Sequence, residues 1–224
     1  MWTLRVAGLV AMLLLTAHDE VSATLFSSRS AWESEIVADS LATRGSPDAT
    51  SIADLNLAAQ VPDLSTLSAG SPIITPLGKP FVFNITLTGA QVPTSWPSWS
   101  GENTPRVLFT GNETSLVGRF PDTGPQYAFG FEVQPEVGMQ QMTLFADDGT
   151  SLTQLVSSDG GAAFFGFSDT LVRQWMLSCD TCIGSGFAVG RLVEAAPGPE
   201  ILTLYVLGLA VLAGSCALRA RRRN

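Results

Sequence analysis

Residues 127–133 read Tyr-Ala-Phe-Gly-Phe-Glu-Val, and their period of two decides the fold class. The apolar side chains at 127, 129, 131 and 133 alternate with small or polar ones, as one buried face of a β-strand requires. Similar short segments lie on both sides, separated by glycine and aspartate turns, at 81–87, 107–109, 116–120, 142–145, 152–156, 163–167, 171–177 and 187–193. This spacing predicts a mostly β domain, an antiparallel β-sandwich of jelly-roll type.

The segment Asp147-Asp148-Gly149 lies between two of these strands and is typical of a hairpin turn. The carboxylates of Asp147 and Asp148 also make it a candidate calcium site, because calcium prefers six to eight oxygen ligands. The spaced ligands of an EF-hand loop are missing from the sequence here. We therefore favour a plain turn and predict no cofactor.

The N-terminal part of the domain predicts one helix. Ser30 and Glu33 have the spacing of a capping box, and Trp32 would share a helix face with Ile36. We expect a short amphipathic helix over residues 30–39. Residues 44–80 are rich in Ser, Pro, Ala and Gly without a sustained period, so we expect mostly loop there, with room for one short strand.

The N-terminus has the parts of a secretory signal peptide. Arg5 supplies the positive charge, residues 6–16 form an apolar stretch too short to span a bilayer, and Val21-Ser22-Ala23 is a small-x-small site. We expect signal peptidase to remove residues 1–23, an uncleaved signal anchor being the alternative.

Residues 201–218 form an apolar stretch without a charged side chain. As a helix it would extend roughly 27 Å, close to the hydrocarbon thickness of a bilayer. The basic tail at 219–224 follows at once, with Arg219, Arg221, Arg222 and Arg223. Since clustered arginines stay on the cytoplasmic side, the sequence predicts a transmembrane helix with the domain, residues 24–194, outside.

The exported part is acidic. The whole chain has 12 basic and 20 acidic residues. Arg5 and the four tail arginines lie outside residues 24–200, as do Asp19 and Glu20, so this part has 7 basic and 18 acidic residues. Its formal charge is therefore 7 − 18 = −11. Such a surface repels nucleic acid, which we exclude as a partner. The single histidine, at position 18, lies in the predicted signal peptide, so catalysis that needs an imidazole is excluded from the mature domain.

Cys179 and Cys182 form a Cys-x-x-Cys motif in what would be an oxidising compartment. A thioredoxin-like site would open a helix in a βαβ unit, and a zinc site would need a second ligand pair; the sequence predicts neither. A disulfide that closes a turn is our interpretation, with free thiols as the alternative.

Together, the apolar helix and the basic tail resemble the C-terminal signal of the PEP-CTERM proteins of bacteria. The usual Pro-Glu-Pro motif is degenerate, since Pro197, Gly198, Pro199 and Glu200 stand in the linker at 195–200. The resemblance implies a protein of the bacterial cell envelope, anchored in the inner membrane. It also implies an exosortase that cuts near the motif and transfers the protein to the cell surface or to exopolysaccharide.

The resemblance extends into the domain. Thr24-Leu25-Phe26 followed by Arg29-Ser30-Ala31-Trp32 is similar to the opening of many such proteins. Later phrases fall in the usual order, at 128–131, 148–149, 164–167 and 186–189. Relatives often carry an acidic residue where this chain has Arg191 after Gly190, so the resemblance implies no cation site there.

Trp96 and Trp99 stand in a Pro/Ser-rich stretch between predicted strands. Aromatic faces on a loop can stack on sugar rings, although such residues more often pack against their own domain. Our leading hypothesis is a structural or adhesive module of the cell surface or extracellular matrix, without catalytic residues. A carbohydrate-binding module that uses these tryptophans, or less readily a glycan hydrolase with two carboxylates, is the alternative.

Overall fold

The computed structural model describes residues 22–44, 51–75, 78–92, 106–121, 128–168 and 172–196. Within those ranges the N-terminal half forms β1 Thr24–Phe26, α1 Arg29–Arg44, β2 Ser51–Asp54, α2 Leu57–Gln60, β3 Thr66–Leu67, β4 Pro72–Ile74, β5 Pro80–Phe83 and β6 Leu87–Gln91. The C-terminal half forms β7 Arg106–Phe109, β8 Ser115–Arg119, β9 Ala128–Pro135, β10 Met139–Ala146, β11 Ser151–Ser157, β12 Ala163–Ser168, β13 Gln174–Cys179 and β14 Phe187–Ala196.

These strands form two antiparallel sheets with an apolar core between them. The eight-stranded sheet follows the order β1-β12-β9-β14-β7-β6-β3, and β2 pairs with the end of β14. The six-stranded sheet follows the order β11-β10-β13-β8-β5-β4. From β7 onwards the chain changes sheet at every connection between described strands except the β10–β11 hairpin. The predicted antiparallel β-sandwich is confirmed.

The apolar alternation that predicted β9 also predicted its buried face. Phe129, Phe131 and Val133 are at most 2% exposed and belong to the core between the sheets. Trp175 of β13 lies opposite them, with its ring centroid 4.4 Å from that of Phe131. Gly118 of β8 leaves room for the indole, because a Cβ there would lie 2.4 Å from Trp175. The two sheets are therefore joined by interlocking aromatic side chains.

Helix α1 covers the outer surface of the eight-stranded sheet. Trp32 and Ile36 are buried against Phe164, as their predicted shared face requires. The Trp32 Nε1–H donates a hydrogen bond of 3.1 Å to the Phe167 carbonyl oxygen, which fixes the helix over β12.

The predicted bounds and cap of this helix are wrong. It begins at Arg29 and continues to Arg44, since no glycine or proline interrupts the chain before position 45. Ser28, not Ser30, caps the N-terminus of the helix. The Ser28 carbonyl oxygen accepts a hydrogen bond of 3.1 Å from the Trp32 N–H, and the Ser28 Oγ accepts one of 3.5 Å from the Ala31 N–H.

The alternation from residue 81 to residue 87 predicted one strand, and the structure divides it in two. β5 belongs to the six-stranded sheet and β6 to the eight-stranded one. The chain crosses at Asn84, whose backbone N–H donates to the Val117 carbonyl at 3.0 Å while its Oδ1 accepts from Val117 N–H at 2.7 Å. Apolar residues on both sides of the crossing face the same core, so their alternation does not reveal it.

Residues 44–80 hold more regular structure than the sequence predicted. β2, β3, β4 and α2 all lie there, each two to four residues long. β2 pairs with β14 and β3 with β6, while β4 pairs with the next strand along the chain, β5. Segments this short contain too few residues to show a period of their own.

The predicted processing and anchoring elements lie outside the described residues: 1–21 of the signal peptide, the motif from Pro197 to Glu200, the helix at 201–218 and the tail at 219–224. β14 runs to Ala196, two residues beyond the predicted end of the domain, because Ala195 and Ala196 pair with Ile52 and Ser51. No helix in the described part of the chain is long and apolar enough to cross a membrane.

Candidate functional site

The outer face of the six-stranded sheet carries a shallow groove. Leu116 of β8 and Phe120, directly after its end, face the core, so Val117 and Arg119 face outward. The strand register aligns Arg119 with Gln174 of β13 on one side and with Val82 of β5 on the other. We call the depression above these residues the groove; its volume is about 390 Å³.

A turn between β3 and β4 forms the wall of the groove. Ala69 and Gly70 line it, and the Gly70 N–H donates to the Phe83 carbonyl oxygen at 2.9 Å. Gly70 has a φ of 76°, a left-handed conformation that favours glycine. The turn therefore lies against β5 without placing a side chain at that position over the groove.

Three polar side chains converge on this groove from three strands or strand ends. Asn84 uses its Oδ1 to hold Val117 N–H, which leaves its amide nitrogen as a donor. Arg119 and Gln174 are exposed, and within the described residues neither side chain makes a hydrogen bond or an ion pair. Donors and an acceptor thus face solvent above an apolar floor.

An apolar row continues from the groove across the sheet. Val117 pairs with Met176 of β13, which pairs with Phe145 of β10. These outward side chains are half-buried or exposed, Met176 being 36% exposed. A flat apolar strip bordered by amide and guanidinium groups suits a ligand with an apolar face and a hydroxyl edge, as a sugar ring has.

The predicted sugar-binding residues, Trp96 and Trp99, lie outside the described residues. The groove residues had no sequence signal as a group, since Asn84, Arg119 and Gln174 come from distant positions. Only the register between strands brings them together. The alternation of apolar and polar residues predicts which side chains of a strand face outward. It does not predict the order of the strands in the sheet.

The predicted turn at residues 147–149 is a hairpin between β10 and β11. Asp147 Oδ2 accepts from Arg173 N–H at 3.0 Å, and Asp148 Oδ1 accepts from the Thr150 N–H and hydroxyl at 2.9 and 2.7 Å. Among the described residues no three potential ligands from His, Cys, Asp and Glu form a group that could hold a metal ion. The carboxylates serve as hydrogen-bond acceptors that shape the turn.

Asp148 also fixes the start of the domain, because its Oδ2 accepts a hydrogen bond of 2.5 Å from the Ala23 N–H. Partial burial acts to raise the pKa of Asp148, but the hydrogen bonds from Ala23 and Thr150 outweigh it and hold the pKa below its ordinary value. The charged carboxylate therefore stabilises both the hairpin and the segment leading into β1.

Cys179 and Cys182 form a disulfide, with their Cα atoms 5.4 Å apart. It closes the turn between β13 and β14, where Cys182 N–H donates to the Cys179 carbonyl at 3.1 Å. Both cysteines are buried. The motif therefore contributes to the packing of the loop.

The hydrolase hypothesis requires two carboxylates that face each other across a cleft. Among the residues that the structure describes, those that line the groove include no carboxylate. Glu132 and Glu194 are buried on neighbouring strands, at 1% and 0% exposure. Glu132 pairs with Gly190, and Glu194 pairs with the inward-facing Phe129, so the two side chains lie on opposite sides of the sheet. These two carboxylates do not form an acid–base pair.

No protein-family model matches this chain, and no curated protein matches it. Among solved structures it is similar to family 29 carbohydrate binding modules. A variant in complex with mannohexaose overlaps with a TM-score of 0.33 at 7% identity, over 65% of this chain and 92% of the other. A variant with cellulohexaose gives 0.32 at 7%, over 65% and 91%, and a third module 0.32 at 6%, over 65% and 88%.

Proposed function

We propose that this chain is a non-catalytic module of the bacterial cell envelope that binds polysaccharide through the groove. The observation that carries the proposal is the convergence of Asn84, Arg119 and Gln174 beside an outward apolar row. The apolar row would accept the C–H face of a sugar ring, and the polar groups would bond its hydroxyls. Because the groove is open, it could also bind units in the middle of a long polysaccharide and would not require a chain end.

The binding test is affinity electrophoresis of the full chain in detergent, in gels that contain neutral or acidic soluble polysaccharides. We expect at least one polysaccharide to retard the protein, and the double variant Arg119→Ala/Gln174→Ala to lose about tenfold in affinity, or roughly 1.4 kcal/mol. Arg173→Ala is the matched control, since it removes the same charge from an exposed position that does not line the groove.

Retention of the double variant equal to that of the native chain would remove the groove from the proposal. Retention by no polysaccharide at all would end the proposal. The tryptophan hypothesis is tested separately, because Trp96→Ala/Trp99→Ala would abolish retention if those rings carry the ligand. Loss in that variant with full retention in the groove variant would transfer the site to the loop.

The same proposal assigns the ends of the chain to delivery. Signal peptidase would remove residues 1–23, the apolar segment at 201–218 would hold the domain outside the inner membrane, and an exosortase would act near Pro199. Support comes from the uncharged segment and its arginine tail. Intact mass of the mature protein tests this: loss of the C-terminal helix and tail supports sorting, and recovery of only the anchored form contradicts it.

A further inference from the structure

Arg119 carries an unpaired positive charge on an acidic domain. Four other described basic side chains already have interaction partners, namely Arg29, Arg106, Lys79 and Arg191. Within the part of the chain that the structure describes, the Arg119 guanidinium makes no hydrogen bond or ion pair, and it lines the groove. The Arg173 side chain has no partner there either, but it does not line the groove. The groove therefore contains one guanidinium group that is available to a ligand.

The polar side chains of the groove are mainly hydrogen-bond donors. A guanidinium group has five N–H donors and no acceptor. Asn84 Oδ1 already accepts from the Val117 N–H at 2.7 Å, so its amide nitrogen is the group left for a ligand. Among the described lining side chains only Gln174 offers a carbonyl oxygen without a partner, and none offers a carboxylate. A ligand rich in acceptor oxygens is therefore the better match.

The strand register places these donors at one end of the apolar row. Arg119 pairs with Gln174, and Val117 lies two residues before Arg119 on the same outward face, about 7 Å away along the strand. Val117 pairs with Met176, which pairs with Phe145, so the row continues with apolar side chains and no second cation. A sugar ring over Val117 would bring a carboxylate at its edge to the guanidinium.

The charge of the whole domain limits how acidic the ligand can be. Residues 24–200 carry 7 basic and 18 acidic side chains, a formal charge of 7 − 18 = −11. That charge would repel a polymer with a carboxylate on every unit, and the groove compensates only one of those carboxylates. A single carboxylate among several neutral units gains the contact with Arg119 and meets much less repulsion. The charges therefore favour a sparsely charged polymer over a polyuronate.

We propose that the groove binds a heteropolysaccharide in which single carboxylate-bearing sugars are separated by neutral ones. The proposal rests on the function proposed above, because it names the class of polysaccharide that the same groove takes. The planar fork of Arg119 would bind both carboxylate oxygens. The amides of Asn84 and Gln174 would donate to neighbouring sugar oxygens, and the apolar row would contact the C–H faces of the neutral units.

The test is affinity electrophoresis of the full chain in non-ionic detergent with two polymer series of known carboxylate density. One series is pectin, from de-esterified polygalacturonate to highly methyl-esterified pectin. The other is cellulose, from neutral hydroxyethyl cellulose to densely substituted carboxymethyl cellulose. Within each series we expect the strongest retention at a low but non-zero carboxylate density. Dextran sulfate is the control for attraction to any polyanion.

Variants of the guanidinium group test its role. Arg119→Gln should lower the affinity for the sparsely charged polymers about tenfold, because it removes a charge-assisted hydrogen-bonded contact. Arg119→Lys keeps the charge without the fork and should lose part of the affinity. Arg173→Gln is the matched control, since it removes the same charge from outside the groove and should leave retention unchanged. Circular dichroism would establish that all three variants are folded.

Several results would overturn this inference. Retention by the neutral polymers equal to that by the sparsely charged ones would do so and would leave the proposed polysaccharide function standing. Strongest retention by polygalacturonate or dextran sulfate would also overturn it, as would equal losses in Arg119→Gln and Arg173→Gln. Retention by no member of either series would end the inference. The broader panel of polysaccharides described above decides separately whether the groove binds polysaccharide at all.

Discussion

At the scale of single residues, the loop from β13 to β14 shows how closely parts of the backbone approach. Gly186 has a φ of 68°, and a Cβ added there would lie 1.6 Å from the Gly111 carbonyl oxygen. Gly184, two residues earlier, has a φ of 82°, but an added Cβ would meet nothing within 4 Å. Alanine substitutions at these two glycines would therefore distinguish the stability lost through a steric clash from the stability lost through a left-handed backbone conformation.

We expect Gly186→Ala to lower the free energy of unfolding by about 3 kcal/mol or more, because backbone must move to admit the methyl group. Gly184→Ala should cost about 1 kcal/mol, from the unfavourable φ alone. Denaturant midpoints of both variants measure the difference. Equal losses of stability in the two variants would contradict this prediction, because they would mean that the loop at Gly111 moves away from Gly186 at little cost.

The depressed pKa of Asp148 predicts a pH effect. A carboxyl group with a folded-state pKa below its unfolded value of about 3.9 stabilises the fold above that pH. Its contribution disappears as the pH falls through the folded-state value. Asp148→Asn should therefore lower the thermal midpoint at pH 7, and the difference from the native chain should shrink below about pH 4.

Thermal unfolding between pH 3 and 7 measures this effect, and Asp159→Asn provides a comparison in the connection between β11 and β12. A gap between native chain and Asp148→Asn that stays constant over the whole range would contradict the assignment. The acidic end of the range tests the direction of the pKa shift. A carboxylate that is better bonded in the folded state stops stabilising the fold when it is protonated there.

At the scale of elements, helix α1 depends on one buried side chain. Trp32 is 0% exposed and combines apolar packing on Phe164 with the hydrogen bond to Phe167. Trp32→Ala should lower stability by about 3–5 kcal/mol, while Ile36→Val on the same face should cost about 0.5–1.5 kcal/mol. Urea unfolding measures both. A Trp32→Ala loss no larger than that of Ile36→Val would mean that the helix contributes little to the sandwich.

Much of the element list follows from the sequence, and the reason is local. The core strands β8 to β14 each place alternate apolar side chains between the sheets, so the period of two is visible without the partner strands. The split at Asn84 is not visible because it depends on which sheet each half joins, and the short strands β2 to β4 are not visible because each has too few residues to show a period. The groove depends on register as well, so its set of side chains could not be assembled from the sequence.

At the scale of the whole molecule, a single core joins both sheets. Phe81 of the six-stranded sheet contacts Phe129 of the eight-stranded sheet at a centroid distance of 5.2 Å, and Trp175 contacts Phe131 at 4.4 Å. Neither sheet keeps its apolar face covered without the other. The sandwich should therefore unfold as one cooperative unit.

Guanidinium unfolding of the full chain in detergent tests this with two probes. Near-UV circular dichroism follows the packed aromatic rings, and far-UV circular dichroism follows the strands. We expect coincident transitions with one midpoint. A near-UV transition at clearly lower denaturant would mean that the aromatic core loosens while the sheets persist.

The contact between Ala23 and Asp148 has a consequence for maturation. If the export machinery cuts after Ala23, the amide that Asp148 holds departs with the leader, and a free amine appears on Thr24. Asp148 would then lose the neutral Ala23 N–H as a hydrogen-bond donor and would face the positively charged amino group of Thr24 at the beginning of β1. The carboxylate that shapes a hairpin would thus also distinguish the precursor from the finished protein.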